Sequence, residues 1–363
     1  MVTFLTVVLL LVLGVYLFFK QSVFGKNPSG GRLTRIRQSP HYRDGSFQNL
    51  HPTPPLAEGE TMWNVLRKFL FAKKIRHRPS APLPSQKTNL TKLDRDQNVL
   101  VWFGHSSYFM QIDGLTFLVD PVLSGSASPV GTTKSFAGSD VYTPADLPDI
   151  DYLIITHDHY DHLDHDTVVQ LQPKVRNVLT GLGTGAHLEH WGYDAHKITE
   201  NDWHASVRFE DGITVHWTPA RHFSGRTFKR NQTLWTSFVL QTPTKKLYLG
   251  GDSGYDTHFA QIGAQHGPFD LAILECGQYN ESWKYIHMLP EQVLTAAKEL
   301  NAKILMTVHW GKFSLSVHAW DEPIKKVSEF ALEENLPLLT PMIGEKIDLE
   351  NIRTLENWWK TVD

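Results

Sequence analysis

An α/β sandwich preceded by an N-terminal membrane-spanning helix is the fold that the sequence predicts, on three observations. Short apolar or alternating runs bounded by Gly, Asp and Pro recur from Asp96 onward, two amphipathic helical stretches lie among them, and one long uncharged run opens the chain. Composition agrees. With 363 residues, 41% hydrophobic and 20% charged, 11 Trp and one Cys, the chain has the material for a large core. That excludes a disordered chain, a disulfide scaffold and a polytopic membrane protein. Cys276 alone cannot form an internal disulfide.

In chain order, Val2 to Phe19 (VTFLTVVLLLVLGVYLFF) carries no charge and approaches the ~20 residues needed to cross a hydrocarbon core. No base precedes it and no small-residue cleavage site follows, so residues 1–20 read as a retained transmembrane anchor rather than a signal peptide. Lys20, Lys26, Arg32, Arg35, Arg37 and Arg43 follow before the first acid, Asp44, which predicts a cytoplasmic body at the membrane. Residues 21–95 are rich in Pro and Gly and read as a basic linker. Within it, Met62, Trp63, Leu66, Phe69 and Leu70 predict an amphipathic helix near 61–76 that either lies in a membrane interface or caps the body. The net charge of −3 conceals a split, because residues 20–95 hold 15 basic and 4 acidic side chains and residues 96–363 hold 20 and 34.

Residues 96–363 form the predicted catalytic domain. NVLVWFG, YFMQID, LTFLVD, YLIIT, VRNVLTG, ITVHWTP, LWTSFVLQT, KKLYLGG, LAILECG and KILMTVHW read as strands, and PEQVLTAAKELN and EPIKKVSEFALEEN as helices. The exits of these strands carry the chemistry. YLIIT runs into His157-Asp158-His159-Tyr160-Asp161-His162, an H-x-H-x-D-H pattern. Three further strands deliver His222, Asp252 and His309 just beyond their ends. Imidazole and carboxylate are the usual ligands of Zn and related ions, and five histidines with two aspartates suffice for two adjacent metals sharing one carboxylate. Two such cations lower the pKa of a bridging water towards ~7 and bind the oxygens on which charge accumulates. Asp161 or Asp252 could take up the water proton.

The chain resembles the metallo-β-lactamase fold superfamily from about Asn98 to its C-terminal region, and within it N-acyl-phosphatidylethanolamine-hydrolysing phospholipase D and its bacterial relatives. The narrower resemblance rests on WFGHSSYFMQIDGLTFLVDPVLS, THDHYDHLD, TPARHFSGR, GGDSGYDTHF, GPFDLAILECGQYNESW, IHMLPEQV and VHWGKF. It implies an αββα sandwich, with His157, His159 and His222 on one metal, Asp161, His162 and His309 on the other, and Asp252 as the bridge. It also matches His287 to a histidine near the substrate phosphate, the alternative being a helix-start surface residue. His105 and Arg221 are weaker candidates for orienting a ligand or neutralising phosphate, and His187 and His190 weaker still. The two divalent ions expected are Zn first, with Mn and Fe compatible.

The implied activity is phospholipase D-type hydrolysis of N-acyl-phosphatidylethanolamine to N-acylethanolamine and phosphatidic acid, by attack of a metal-bridging hydroxide. The expected partners are a phospholipid substrate and the bilayer. Nucleic acid is disfavoured by the acidic body. The alternatives are a lactonase or sugar-phosphate hydrolase of the same fold and a non-catalytic metal-binding envelope protein.

Overall fold

The alternation in the predicted strands is what builds the layers. In the computed structural model, which describes residues 2–71, 75–353 and 355–362, two seven-stranded sheets stack face to face. Lys73 and Lys74 of the predicted 61–76 helix and the side chain of Phe69 lie outside the described residues, as does Met1 of the predicted anchor.

The N-terminal elements are α1 (Val2–Phe19), α2 (Gly30–Ile36), a two-stranded ribbon of β1 (Tyr42–Arg43) and β2 (Ser46–Phe47), and α3 (Met62–Phe71). The first large sheet holds β3 (Val99–Trp102), β4 (Tyr108–Ile112), β5 (Leu115–Val119), β6 (Ile150–Ile155), β7 (Val175–Gly181) and β8 (Ile198–Asn201) in sequence order. The second holds β9 (Ser206–Arg208), β10 (Thr214–Thr218), β11 (Ser237–Gln241), β12 (Lys246–Leu249), β13 (Leu271–Glu275), β14 (Leu305–Val308) and β15 (Leu338–Leu339). β16 (Lys346–Asp348) returns to pair antiparallel with β3 and completes the first sheet. The remaining helices are α4 (His165–Leu171), α5 (Gly185–His190), α6 (His258–His266), α7 (Pro290–Glu299) and α8 (Glu322–Glu333).

Both faces of the central strands are buried, which explains why they read as continuous apolar runs. Tyr108, Met110 and Ile112 of β4, with Tyr152 and Ile154 of β6, meet Trp217, Phe238 and Leu240 between the sheets. Their alternates Phe109, Leu153 and Ile155 pack outward with Leu163, Val168 and Leu188 around α4 and α5. β5, β6 and β7 run parallel, as do β12, β13 and β14. Parallel strands end on the same edge, and that edge is where the side chains of interest collect.

The N-terminal expectations need two corrections. Helix α1 forms, but among the described residues no helix is long and apolar enough to cross a membrane. Eighteen residues at ~1.5 Å each rise about 27 Å, short of a hydrocarbon core of about 30 Å, so the expected single-pass span is not supported. Nor do residues 21–95 lie apart from the body as the expected basic linker, since residues 21–60 pack against it. They fold as a strap across the body, where Ile36 and Phe47 are buried with Leu182, Trp203, Leu234 and Trp235. Arg32 reaches Glu189 and Glu200 at 2.8 and 2.7 Å, so part of the basic stretch is neutralised by the acidic body. Among the described side chains of α3 only Val65 is buried, while Met62, Trp63, Leu66 and Leu70 face outward.

Candidate metal centre

Each strand exit brings its side chains to one edge. The exit of β6 carries His157, His159, Asp161 and His162; those of β10, β12 and β14 carry His222, Asp252 and His309. The turn into Asp252 depends on Gly251, whose φ is +60° and where a Cβ would stand 2.8 Å from the Cβ of Thr156. His105, Asp120 and His309 also adopt positive φ, at 52°, 40° and 69°. Such backbone costs on the order of 1–3 kcal/mol per residue and persists where side chains must be aimed.

The cluster has two halves. In one, His157 Nε2 lies 2.9 Å and His222 Nε2 3.3 Å from His159 Nδ1. His222 Nδ1 donates to Ile286 O at 2.9 Å, so a neutral His222 carries its lone pair on Nε2, facing the other rings. In the other half, Asp161, His162 and His309 gather with His105, whose Nε2 lies 3.0 Å from Asp161 Oδ2. Asp252 stands between the halves. Its Oδ2 is 3.2 Å from His162 Nε2, 3.7 Å from His222 Nε2 and 3.9 Å from His157 Nε2, and its Oδ1 is 3.2 Å from His309 Nδ1.

A cation fits this donor set. The buried His162 Nε2 and Asp252 Oδ1 have no hydrogen-bond partner, and the imidazole nitrogens of the first half cannot all satisfy one another through the few protons they share. Burial drives His157, His159, His222 and His309 below the ordinary imidazole range, which leaves them neutral and able to ligate. Burial opposes charge on Asp252, yet His162 and His309 hold it well below the usual carboxylate range. Burial likewise opposes charge on His162, but Asp252, Asp161 and Asp120 raise it well above the ordinary value.

His287 joins the cluster beside His222 and Asp252, with its ring stacked on His309 at 5.1 Å between centroids. It is no surface helix-start residue. Its Nδ1 pairs with Glu275 Oε1 at 3.2 Å, and burial pushes the Glu275 carboxyl up to about 7. His105 is fully buried, with its ring against Asp161. Arg221 does not face the cluster. Its guanidinium bonds Thr53 Oγ1, Pro52 O and Tyr255 O and lies over the Tyr285 ring, so it ties down the strap and is not a free phosphate cation. His187 is bonded through Nε2 to Asp158, and His190 is exposed at the end of α5.

Several supporting residues escaped the sequence reading. Asp120 Oδ2 lies 2.8 Å from His162 Nδ1 while the same carboxylate accepts from Thr156 N and Oγ1. Ser106 Oγ is 3.0 Å from His309 Nδ1. Asp120 and Glu275 both close apolar strands, the same signal that found Asp252, whereas Ser106 left none.

The Beta-lactamase superfamily domain matches residues 116–310. The chain is 40% identical to an uncharacterized protein of Mycobacterium tuberculosis over 89% of this chain and 88% of that one. It is also 33% identical to N-acyl-phosphatidylethanolamine-hydrolyzing phospholipase D 1 of Caenorhabditis elegans, over 63% of this chain and 68% of that protein. Among solved structures, Igni18, a metallo hydrolase of the archaeon Ignicoccus hospitalis, superposes with a TM-score of 0.53 at 21% identity, covering 69% of this chain and 97% of its own, a likeness of fold. The strand-exit cluster of histidines and aspartates and these matches together place the chain in the metallo-β-lactamase superfamily, as a metal-dependent hydrolase of that fold.

Proposed function

We propose that the protein hydrolyses the phosphodiester of an N-acylated phosphatidylethanolamine, releasing N-acylethanolamine and phosphatidic acid. The observation that carries this reading is Asp252 standing between two groups of ligand atoms built from His and Asp alone, with the lone thiol, Cys276, buried outside them. A hard oxygen and nitrogen donor set suits phosphoryl chemistry. The named activity of the nematode relative supports the lipid.

His157, His159 and His222 would hold one divalent ion and Asp161, His162 and His309 a second, with Asp252 between them; Zn is the first choice, with Mn and Fe compatible. When bound, the ions supply an acidified water and electrophilic stabilisation of the phosphoryl oxygens. The protein does the rest. Asp120 and Ile286 O set the ring orientation of His162 and His222, His105 holds Asp161, and Asp161 or Asp252 accepts the proton of the attacking water. As water oxygen bonds to phosphorus, the bond from phosphorus to the ethanolamine oxygen breaks and that oxygen takes a proton. His287, tethered to Glu275, is assigned to the phosphoryl region as the donor.

The outer surface supports a lipid substrate. Helix α1 exposes Phe4, Leu9, Leu10 and Leu11, α3 exposes Met62, Trp63 and Phe71, and Phe228 is 88% exposed. Exposed apolar helices flanked by Lys20, Arg67 and Lys68 suit contact with an anionic membrane surface, which we place on the cytoplasmic side. The test is release of N-acylethanolamine from vesicles by metal-loaded protein, with Asp252→Ala as the control. Turnover that is lost in the variant is expected. Equal turnover by the variant, or turnover of soluble lactones and sugar phosphates but not of the lipid, overturns the proposal. Retained metal with no hydrolysis across the panel would point to the non-catalytic alternative.

A further inference from the structure

We propose that the N-terminal strap is part of the metal centre, through Asn49 acting as a positioning residue for His222; the proposal rests on the reading of the centre given above. Asn49 lies between β2 and α3, in a stretch whose composition suggests only a linker. Both polar atoms of its carboxamide are engaged. Oδ1 accepts from the backbone N of His222 at 3.0 Å and from Trp235 Nε1 at 3.0 Å, and Nδ2 donates to the backbone O of His222 at 2.8 Å. One amide therefore closes a two-point clamp on the peptide groups of a residue whose ring must meet His157 and His159.

The clamp matters because His222 lies beyond the end of β10, which stops at Thr218. Past that point no sheet ladder holds the backbone, and the inter-strand bonds of the β10–β11 pair end at Thr218 and Ser237. The ring is fixed at its far side by Ile286 O. The backbone needs separate restraint, and Asn49 provides it on both the N–H and the C=O. The strap is itself held on each side of Asn49. Phe47 N donates to Asn231 O at 2.8 Å on one side, and Arg221 bonds Pro52 O and Thr53 Oγ1 on the other. Arg221 and His222 are consecutive, so the strap grips this loop at two adjacent residues.

Loss of a residue that orients a metal-binding histidine typically lowers metal affinity about 10–100-fold. Asn49→Ala in the full chain is therefore expected to weaken Zn binding by that factor at the half containing His222, leaving the other half less affected. Zn binding is measured by competition with a chromophoric chelator on folded protein, alongside the thermal midpoint of the metal-free protein. Tyr42→Phe removes only the hydroxyl bond to Gly45 O in the same strap and is expected to bind Zn as wild type does. If Asn49→Ala does not fold, Asn49→Asp serves. It keeps both acceptor contacts but loses the donor to His222 O, and it is expected to weaken Zn binding as well. Wild type and Asn49 variants that bind Zn equally well overturn the inference while leaving the centre intact. A wild type that binds no divalent ion overturns the reading of the centre itself. An equal loss of affinity in Tyr42→Phe shows a general weakening of the strap and refutes the assignment to Asn49.

Discussion

Asp120→Asn is the substitution whose effect follows most directly from the geometry. Asp120 uses one oxygen to accept from His162 Nδ1 at 2.8 Å and from Thr156 Oγ1 at 2.6 Å, and the other to accept from Thr156 N at 2.8 Å. Asparagine keeps only one acceptor oxygen. If that oxygen stays on Thr156 N, the NH2 group faces His162 and forces Nδ1 to accept. The imidazole proton then moves to Nε2, the nitrogen that faces Asp252 at 3.2 Å and that ligation needs unprotonated. If the amide flips instead, its NH2 opposes the N–H of Thr156, leaving a buried donor unsatisfied at about 1–3 kcal/mol. Either outcome disfavours the metal-bound form. The expected loss of Zn affinity is about 10–100-fold, equivalent to about 1.4–2.8 kcal/mol. Metal-free stability should change less, because His162 stays beside Asp252 and Asp161 and one buried charge is removed. Chelator competition and chemical denaturation of the metal-free protein measure the two quantities. Unchanged Zn affinity would refute the tautomer argument.

Three further outcomes are expected. Glu275→Gln removes the carboxylate that keeps His287 protonated to higher pH, so the alkaline limb of kcat/KM should move to lower pH; an unmoved profile would remove His287 from the proton inventory. Burial pushes His258 down to about 3 from an unfolded value of 6.5, so its contribution to stability is full above the unfolded value and is lost as pH falls towards about 3. His258→Gln should flatten the dependence of metal-free unfolding free energy on pH across that window, by at most about 1.4 kcal/mol per pH unit. Arg32→Ala leaves Oε2 of the nearly buried Glu200 without its cation, with Gly183 N and Gly185 N still on Oε1, and frees Glu189, at a cost of about 1.5–3 kcal/mol, and should expose the strap to trypsin at Arg35, Arg37 and Arg43; wild-type protection would show that the strap is held elsewhere.

The legibility of this protein in its sequence divides along a physical line. The strands from β3 to β7 and from β10 to β14 were visible because their buried faces make them apolar or alternating runs. β8, β9, β15 and β16 were not, since short edge strands of two to four residues such as Ile198–Asn201 carry little apolar signal. Helices α4, α5 and α6 escaped for a similar reason. They are six to nine residues long, too short for a period to declare itself. The direction of Arg221 is not legible from its adjacency to His222, and its side chain points to the strap.

The sequence by itself determined which side chains meet at the sheet edge. His157, His159, Asp161, His162, His222, Asp252 and His309 each follow an apolar strand, and parallel strands end on one edge, so local pattern suffices to gather them. Only the tertiary structure decided how they are held. Asp120 on His162, His105 on Asp161, Glu275 on His287 and Asn49 on His222 are contacts across 12 to 173 residues of chain. A hydrogen bond between residues so far apart leaves no periodicity in either segment. It exists only once packing has placed one carboxylate or amide against one imidazole or its backbone, which is why the strap read as a linker and yet packs against the body beside His222.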